Sequence, residues 1–377
     1  MKITFVISNM LLGGANRVMS ILIKYWVKKG WSITLLTMED GFIPAFYDLD
    51  KSVQYITLGI AGQSANLLDG LQNNLERIFV LRKAILDSKP DMVISFLDEM
   101  NVVTLLATRG LNLPVIVSEH SDPAVSPLNK IWHLLRQWTY PMADKITVLS
   151  QTAKNYFSPQ LQTRISILPN PVMLPPIEKP ILEQQLVHPS VLAMGRFSEE
   201  KRFDLLLQAF AKLKDRHPEW TLTILGEGEL RSELESLRDR FELSDRVYLP
   251  GQVKNVYEFL HQADLFVMSS RFEGFGMALC EAMACGLPVI STDCPSGPRE
   301  IIRDGIDGIL VPNGDVSALA EAMGKLMSDE YERKRLAARA PEVVKRFSLE
   351  KIMGMWEALI SEVIGERQGW KQQSNKG

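Results

Sequence analysis

Short apolar runs alternate with longer amphipathic segments along the whole chain. Lys2–Ser8 is a run of the kind that forms a buried parallel strand. Gly13 and Gly14 then open a segment with apolar residues at helical spacing, and Gly30 ends it. Further strands of the first half are predicted at Ser32–Thr37, Val53–Leu58, Asp91–Leu97, Pro114–Ser118 and Lys145–Ser150. This alternation predicts a parallel sheet with helices on both faces, which is the doubly wound α/β class.

A proline-rich stretch separates two blocks of this kind. Six prolines lie between Pro169 and Pro189, and neither a helix nor a central strand tolerates that density. The alternation resumes at Val191, and the tail from residue 329 to 365 is predicted to be helical. The sequence predicts a Rossmann-like domain at 1–172, a linker at 173–189 and a second Rossmann-like domain at 190–349. The carboxyl ends of their strands are expected to face a cleft between the domains.

The composition excludes several classes of protein. The 377 residues suffice for two cores at roughly 150 residues per domain, and 46% hydrophobic residues are ordinary for a globular protein. A net charge of −3 argues against a dedicated nucleic-acid binder. No run reaches the roughly 18 apolar residues that span a bilayer, and Ser8 and Asn9 interrupt the first run too early for a signal peptide. We expect a cytoplasmic protein.

The three cysteines lie close together in the sequence, at Cys280, Cys285 and Cys294. No histidine lies among them, so a four-ligand zinc site is poorly supported. We interpret them as structural thiols of a protein in a reducing compartment.

Two cations follow the first strand of the second block. Arg196 and Lys201 lie in the loop GRFSEEK, between that strand and the next helix. At a strand end both side chains can converge on one anion, because Arg forks onto phosphate oxygens and Lys adds a point charge. The alternative is a solvated loop with ordinary surface charge.

A glycine-rich loop, SRFEGFG, leads from another strand into the helix Met277–Cys285. Backbone amides at such a helix start can bind an anion. Glu281 is the only charge between Gly274 and Thr292, and sugar hydroxyls would supply the donors that so apolar a setting lacks. Alternatively Glu281 points outward or pairs with a lysine. Glu273, in the loop itself, is a second candidate acceptor of hydroxyl groups.

Weaker signals lie at three other strand ends. Gly226 and Gly228 form a lone G-x-G, and Arg231 stands where a dinucleotide fingerprint needs its third glycine, which counts against a dehydrogenase. Gly14 permits close approach of a ligand to the backbone. His120 ends a strand at the predicted cleft, which favours a functional role over a structural one.

Together these motifs resemble the GT-B glycosyltransferases, specifically retaining glycosyltransferase family 4. The resemblance spans essentially the whole chain and is strongest from Gly195 to Pro312. Its most specific element is the pair Glu273 and Glu281 in EGFGMALCEAMACGLPVI, supported by GRFSEEK, GEG and SGPREIIRDGIDGILVP. The strings SEHSDP and CPSGPREI are similar to members that act on polyprenyl-linked sugars in bacterial glycan assembly.

The resemblance implies a role for each matched position. Arg196 and Lys201 would hold the donor diphosphate, and Glu281 would bind the nucleotide ribose. Glu273 would contact the hydroxyls of the donor sugar, and His120 would line the reaction centre from the acceptor-binding first domain. The remaining donor-binding positions are five glycines and one aromatic residue: Gly14, Gly226, Gly228, Gly274, Phe275 and Gly276.

The implied reaction transfers a hexosyl unit of the Gal, GalNAc, Glc or GlcNAc type. The donor would be a UDP-sugar and the acceptor a lipid-linked glycan, with retention at the anomeric carbon and with neither metal nor cofactor. The D-x-D of Asp48 and Asp50 follows no strand, so we interpret it as a chance match to a metal motif. The alternatives are a GDP-mannose-dependent mannosyltransferase and a nucleotide-sugar epimerase or hydrolase, for which Asp98 and Glu99 are the only hint.

Three further features leave alternatives open. Leu128–Tyr140 mixes basic and aromatic residues, which fits either a packed helix or a helix at the inner membrane face. Arg202 stands where family members often have glycine, so its side chain would either contact phosphate or face water, and Arg271 has no assigned role. The resemblance also implies that a helix at about 350–366 returns to the first domain, where Trp356 would pack.

Overall fold

The chain divides into two compact units. The computed structural model describes residues 1–11, 13–61, 67–125, 128–175 and 186–374. Unit 1 comprises Met1–Asn170 with Glu350–Gly377, and unit 2 comprises Pro171–Leu349. The division lies beside the predicted domain boundary at 172, and residues 176–185 of the predicted linker lie outside the described residues.

Unit 1 is built on a parallel sheet of seven strands. The strands are β1 (Lys2–Ile7), β2 (Ser32–Thr37), β3 (Gln54–Thr57), β4 (Met92–Phe96), β5 (Val115–Ser118), β6 (Lys145–Val148) and β7 (Ile165–Ile167). Their order is β3-β2-β1-β4-β5-β6-β7. The order reverses between β1 and β4, and in open parallel sheets ligands bind at the carboxyl ends of the strands beside such a reversal.

Helices cover this sheet and bury its apolar side chains. They are α1 (Gly14–Lys28), α2 (Leu67–Ser88), α3 (Asp98–Thr108), α4 (Lys130–Thr139), α5 (Gln151–Tyr156) and α6 (Pro159–Gln162), with a 3-10 turn at Tyr140–Met142. The first predicted helix begins and ends as its glycines indicate, since α1 starts at Gly14 and the chain turns at Gly30 with a φ of 80°. Strands buried on both faces explain the continuous apolar runs of the sequence.

Unit 2 repeats the architecture with six parallel strands. They are β8 (Ser190–Met194), β9 (Thr221–Leu225), β10 (Val247–Gly251), β11 (Leu265–Met268), β12 (Val289–Asp293) and β13 (Ile309–Pro312). The order β10-β9-β8-β11-β12-β13 reverses between β8 and β11. Its helices are α7 (Phe203–Ala211), α8 (Arg231–Arg240), α9 (Tyr257–Leu260), α10 (Met277–Ala284), α11 (Pro298–Ile301), α12 (Val316–Ser328), α13 (Glu330–Arg339) and α14 (Glu342–Arg346).

The last helix, α15 (Leu349–Ser374), belongs almost wholly to unit 1. Trp356 meets Trp26 edge to face at 6.2 Å between ring centroids and stacks on Phe96 at 6.3 Å. Ion pairs such as Lys29–Glu357, at 2.7 Å, lie beside this contact. The helix therefore completes the core of unit 1 from the far end of the chain.

The helical tail is broken where the sequence analysis predicts an unbroken run. Helix α13 ends at Arg339, and Pro341, which lacks an N–H and cannot continue the helix, caps α14. A second break at Phe347 and Ser348 lets Ser348 form a bridge with Val172, which ties the two ends of unit 2 together.

Candidate functional site

Two loops of unit 2 meet at the reversal of its strand order. One follows β8 and carries Arg196 and Lys201, and the other follows β11 and carries Glu273. The Arg271 amide donates to the Glu200 carbonyl at 2.7 Å, which joins the loops by their backbones. The cations and the acid predicted from separate motifs therefore arise from neighbouring strand ends.

Lys201 and Glu273 form a direct ion pair between these loops. Lys201 Nζ lies 2.7 Å from Glu273 Oε1, and the same oxygen accepts a hydrogen bond from Ser270 Oγ at 2.6 Å. The side chains are 23% and 11% exposed, so the pair is largely shielded from water. A charge-assisted bond in such surroundings fixes both groups in place. Gly195 makes room for the lysine stem, because a Cβ there would lie 3.3 Å from Lys201 Cδ.

Residues that the sequence analysis missed hold the Glu273 loop in position. Thr292 Oγ1 donates to the Ser270 carbonyl and Ser296 Oγ donates to the Glu273 carbonyl, each at 2.6 Å. Asn313 Nδ2 donates to the Arg271 carbonyl at 2.8 Å. In the sequence, these three are small polar residues at or just after the ends of β12 and β13, and this position was the signal that could have identified them. Together they support the loop from β12 and β13.

Gly297 shows how closely the neighbouring loop packs against the Glu273 loop. Its φ is 89°, and a Cβ would lie 2.4 Å from the Phe275 carbonyl oxygen. Phe275 itself is buried and meets Phe347 edge to face at 5.3 Å. Core packing therefore occupies the Phe275 side chain and leaves only its backbone for the predicted donor contact.

Arg196 and Glu281 differ from each other in exposure. Arg196 is exposed just beyond β8, and within the described ranges its guanidinium has neither a hydrogen-bond nor an ion-pair partner. Glu281 is 5% exposed in the middle of α10, which excludes the outward-pointing alternative. Gly276, at a φ of 99°, precedes this helix, and Gly274 lies in the loop before it. A free cation and a buried acid thus lie on elements that flank the ion pair.

Backbone packing explains the G-x-G of the second unit without any ligand. A Cβ on Gly226 would lie 1.8 Å from the Gly195 carbonyl oxygen, and one on Gly228 would lie 2.4 Å from the Phe197 carbonyl oxygen. Arg231, in the place of a third glycine, pairs with Glu227 at 2.6 Å, and this bond lowers the pKa of Glu227. The two glycines let this loop lie directly against the Arg196 loop.

Arg202 has a left-handed backbone and an ion-paired side chain. Its backbone is left-handed, with a φ of 50°, which is the conformation that glycine adopts at least cost. The guanidinium forks onto Asp204, with bonds of 2.9 and 3.1 Å. The side chain is thus engaged by the first turn of α7.

The switch point of unit 1 opens into a cavity. Its volume is about 370 Å³, and it lies beyond the ends of β1 and β2. It combines polar and apolar walls, including Asn9, Glu39, Arg77, Glu99 and Trp132. Gly14 opens α1 nearby in the sequence, with nothing within 4 Å of where its Cβ would lie. Leu12, which precedes Gly13 in the chain, lies outside the described residues.

His120 and Glu119 follow β5 and lie in different surroundings. His120 stacks on Phe96 at 4.2 Å between ring centroids, and burial lowers its pKa to about 3, so the imidazole is neutral. Glu119 is buried, accepts a hydrogen bond from the Tyr140 hydroxyl, and lies 3.8 Å from Arg136 Nη1. Burial raises the pKa of Glu119 to about 7, with the Asp98 charge as the second cause, while Arg136 and Tyr140 oppose the shift.

The other candidate groups have local roles. Asp50 accepts hydrogen bonds from the backbone and hydroxyl of Ser52, which lower its pKa. Burial raises the pKa of the Cys285 and Cys294 thiols to about 12. Across the described ranges, no three His, Cys, Asp or Glu side chains are grouped as metal ligands. None of the helices in those ranges is long and apolar enough to cross a bilayer.

Two family descriptions match adjacent parts of the chain. "Glycosyltransferase Family 4" matches residues 12–174, and "Glycosyl transferases group 1" matches residues 178–343. A solved structure, sucrose-phosphate synthase from Thermosynechococcus elongatus, has the same fold. It shares a TM-score of 0.82 at 20% identity and covers 97% of this chain and 99% of that one. The two doubly wound units thus define a GT-B glycosyltransferase.

Two relatives from Campylobacter jejuni are similar in sequence. One is the GalNAc-alpha-(1->4)-GalNAc-alpha-(1->3)-diNAcBac-PP-undecaprenol alpha-1,4-N-acetyl-D-galactosaminyltransferase, which is 32% identical over 96% of this chain and 99% of its own length. The other is the N-acetylgalactosamine-N,N'-diacetylbacillosaminyl-diphospho-undecaprenol 4-alpha-N-acetylgalactosaminyltransferase, which is 30% identical over 68% of this chain and 72% of its own length. The chain belongs to glycosyltransferase family 4.

Proposed function

We propose that the protein transfers a hexosyl unit from a UDP-sugar to a lipid-linked oligosaccharide or polysaccharide precursor. The sugar is of the Gal, GalNAc, Glc or GlcNAc type. The observation that carries the proposal is the shielded Lys201–Glu273 pair at the reversal of the unit 2 sheet. Such a pair offers one cation for phosphate and one acid for sugar hydroxyls at the place where open sheets bind ligands.

The unit 2 loops supply the groups that a nucleotide diphosphate sugar needs. The free guanidinium of Arg196 and the ammonium of Lys201 hold the diphosphate and offset the charge that develops as it leaves. The Glu273 carboxylate orients the sugar through its hydroxyls, and Glu281 binds the ribose. With two cations in these roles, the transfer requires neither a metal nor a cofactor.

The proposed chemistry retains the anomeric configuration. The bond between the anomeric carbon and the diphosphate oxygen breaks, and a bond to the acceptor oxygen forms on the same face. The acceptor proton passes to the leaving phosphate oxygen. The Glu273 carboxylate is committed to Lys201 and Ser270, so it acts by orienting the sugar and not as a nucleophile.

The acceptor assignment rests on the relatives and on unit 1. The names of both Campylobacter proteins specify undecaprenol-linked glycans. The unit 1 cavity offers acids, the amide of Asn9 and the ring of Trp132, the kinds of group that bind sugars. We assign the glycan end of the acceptor to this cavity.

Helix α4 supports contact with the cytoplasmic face of the membrane. Ile131, Leu134 and Trp138 recur at helical spacing and are 60%, 63% and 52% exposed. Lys130 lies on the same helix, and the Arg109 guanidinium lies 5.2 Å from the Trp138 ring centroid. An exposed apolar stripe with cations beside it fits a peripheral membrane contact.

A donor panel tests the proposal. Purified protein is given UDP- and GDP-sugars, with and without a polyprenyl-diphosphate-linked glycan, and nucleotide diphosphate release and the anomeric signal of the product are measured. We expect release that requires the acceptor, a retained anomer and full activity in excess chelator. Release or isomerisation without an acceptor would show a hydrolase or epimerase, and acceptor-dependent release from GDP-mannose alone would show a mannosyltransferase. Activity restored only by manganese would contradict the metal-free assignment.

A further inference from the structure

Acids that follow two different strands line the unit 1 cavity. Glu39 and Asp40 follow β2, and Glu99 lies in the first turn of α3, which follows β4. These two strands flank β1 in the sheet, so the three acids lie around its carboxyl end. Arg77 of α2 is the one cation among the described residues that line the cavity. With these groups ionised, the wall carries a net negative charge.

The Arg77 guanidinium uses two of its N–H groups inside the protein. Nε donates to the Ile60 carbonyl at 2.9 Å, and Nη1 donates to Asn74 Oδ1 at 3.1 Å. Burial raises the pKa of Glu99, the Asp98 charge raises it further, and Arg77 opposes this shift with a smaller effect than Asp98. The single cation therefore leaves the surroundings of Glu99 negative.

Glu99 differs from the other two acids in its hydrogen bonds. Glu39 Oε1 accepts from the Tyr55 hydroxyl at 2.5 Å, and Asp40 Oδ1 accepts from the Phe42 amide at 3.1 Å. The Glu99 carboxylate has neither a hydrogen-bond nor an ion-pair partner in the described part of the chain, and the residue is exposed in the cavity wall. An ionised carboxylate only accepts hydrogen bonds. Glu99 thus offers two acceptor oxygens to whatever enters the cavity.

These groups favour an uncharged sugar over an acidic one. The hydroxyls of an uncharged sugar can donate to Glu99, and the ring of Trp132 in the same wall offers an apolar contact. A sugar with a carboxylate would instead bring a fourth negative charge among three acids. Binding sites gain specificity from such unfavourable contacts as well as from favourable ones.

We propose that Glu99 makes the unit 1 cavity selective for uncharged sugars. It accepts a hydrogen bond from a hydroxyl of the terminal sugar of the acceptor, and it repels an acceptor whose terminal sugar carries a carboxylate. Glu39 and Asp40 add to the negative charge without offering as many free oxygens. The inference rests on the proposed function, which assigns the glycan end of the acceptor to this cavity.

Two short-chain polyprenyl diphosphate disaccharides test this selection. They differ only at C6 of the terminal sugar, which is galactose in one and galacturonic acid in the other. Isothermal titration at neutral pH, with UDP present, measures the Kd of each for the full chain. We expect the galacturonate form to bind the wild type about tenfold more weakly, as a close pair of like charges requires. In Glu99→Gln, which keeps an acceptor oxygen but loses the charge, the ratio of the two Kd values should fall to about threefold or less. Equal affinity for both forms in the wild type, or an unchanged ratio in Glu99→Gln, would overturn the proposal.

Glu76→Gln is the matched control, because it removes the same charge from an exposed position of α2 beside Arg77 that does not line the cavity. Its ratio of Kd values should equal that of the wild type. A ratio that falls as far as in Glu99→Gln would show a general effect of charge and would refute the contact. Asp40→Asn, which keeps the oxygen that bonds Phe42, gives a second test should Glu99→Gln fail to fold. A lower ratio is expected there, and an unchanged one is contrary.

Transfer kinetics separate selection from a structural role of Glu99. With the galactose form, Glu99→Gln should raise the acceptor KM while kcat stays within about twofold, as the loss of a binding contact predicts. A lower kcat with an unchanged KM would contradict a role in acceptor binding. If no donor sugar is transferred to any acceptor, the proposed function fails, while the titrations still decide the selection.

Discussion

The strand ends of unit 2 and those around His120 in unit 1 use polar groups in opposite ways. The unit 2 loops carry charges that pair with each other, as Lys201 does with Glu273, and their backbones are tied to the next strands. Around His120, burial keeps the imidazole neutral and raises the pKa of Glu119. A cation held in place by an ion pair suits an anionic ligand, whereas a neutral imidazole suits an uncharged one. Under the proposed function, the diphosphate would lie on unit 2, and unit 1 would contact only sugar.

Breaking the charge pair should have the largest effect. Lys201→Ala and Glu273→Ala should each lower kcat/KM for transfer at least about a hundredfold, because each removes a group that stabilises or positions the leaving diphosphate sugar. Initial rates with a saturating acceptor measure this. Lys212→Ala, at the C-cap of the helix that follows Lys201, removes a bond to Ser317 and is the matched control. Near-normal rates in both site variants would refute the assignment of this pair.

Glycine substitutions test which loops bind ligand and which only pack. Gly226→Ala places a Cβ against the Gly195 carbonyl and should destabilise the protein by about 1–3 kcal/mol, as overpacking does. Gly14→Ala meets no atom within 4 Å and should leave the melting temperature unchanged while lowering transfer. The melting temperature and the initial rate of sugar transfer are measured for both variants. An intact melting temperature in Gly226→Ala would refute the packing account, and unchanged transfer in Gly14→Ala would remove Gly14 from the site.

The sequence predicted the fold because apolar periodicity and helix-ending glycines are local signals. Both parallel sheets confirm the prediction from those signals. The ion pair of Lys201 with Glu273 was not predicted, because each residue was assigned to a different part of a ligand. The supports of the loop, Ser296 and Asn313, are polar residues after strands, but their partners could not be predicted, since these bonds depend on the order of strands far apart in the sequence. The sequence also could not distinguish glycines that pack, such as Gly226, from glycines that admit a ligand. That distinction needs the positions of neighbouring backbones.

The buried acid of unit 1 predicts a pH-dependent stability. The pKa of Glu119 is raised to about 7 in the folded state, above its ordinary 4.5, so its favourable contribution is full below about pH 4.5 and is lost as pH rises through 7. Glu119→Gln, which cannot ionise, should therefore gain in melting temperature relative to the wild type between pH 5 and pH 8. Scanning calorimetry at both pH values measures the difference. A constant difference would show that Glu119 does not titrate in this range.

Arg202→Gly should have the smallest effect. The change relieves a left-handed backbone but breaks the ion pair with Asp204, so stability should move by less than about 1 kcal/mol. Since Asp204 engages the guanidinium, kcat should stay within about twofold of the wild type, as expected for a change away from the ligand. Chemical denaturation and initial rates check both quantities. A large loss of donor affinity would instead place Arg202 on the diphosphate.

The central claim is that the unit 2 loop with Arg196 and Lys201 holds a nucleotide diphosphate. Isothermal titration of UDP and GDP into the wild type, Lys201→Ala and Lys212→Ala tests it without an acceptor. We predict that UDP binds the wild type and Lys212→Ala equally, and that its Kd rises about tenfold or more in Lys201→Ala, as the loss of a charged hydrogen bond requires. Equal UDP affinity in all three proteins, or no binding of either nucleotide to the wild type, would contradict the account.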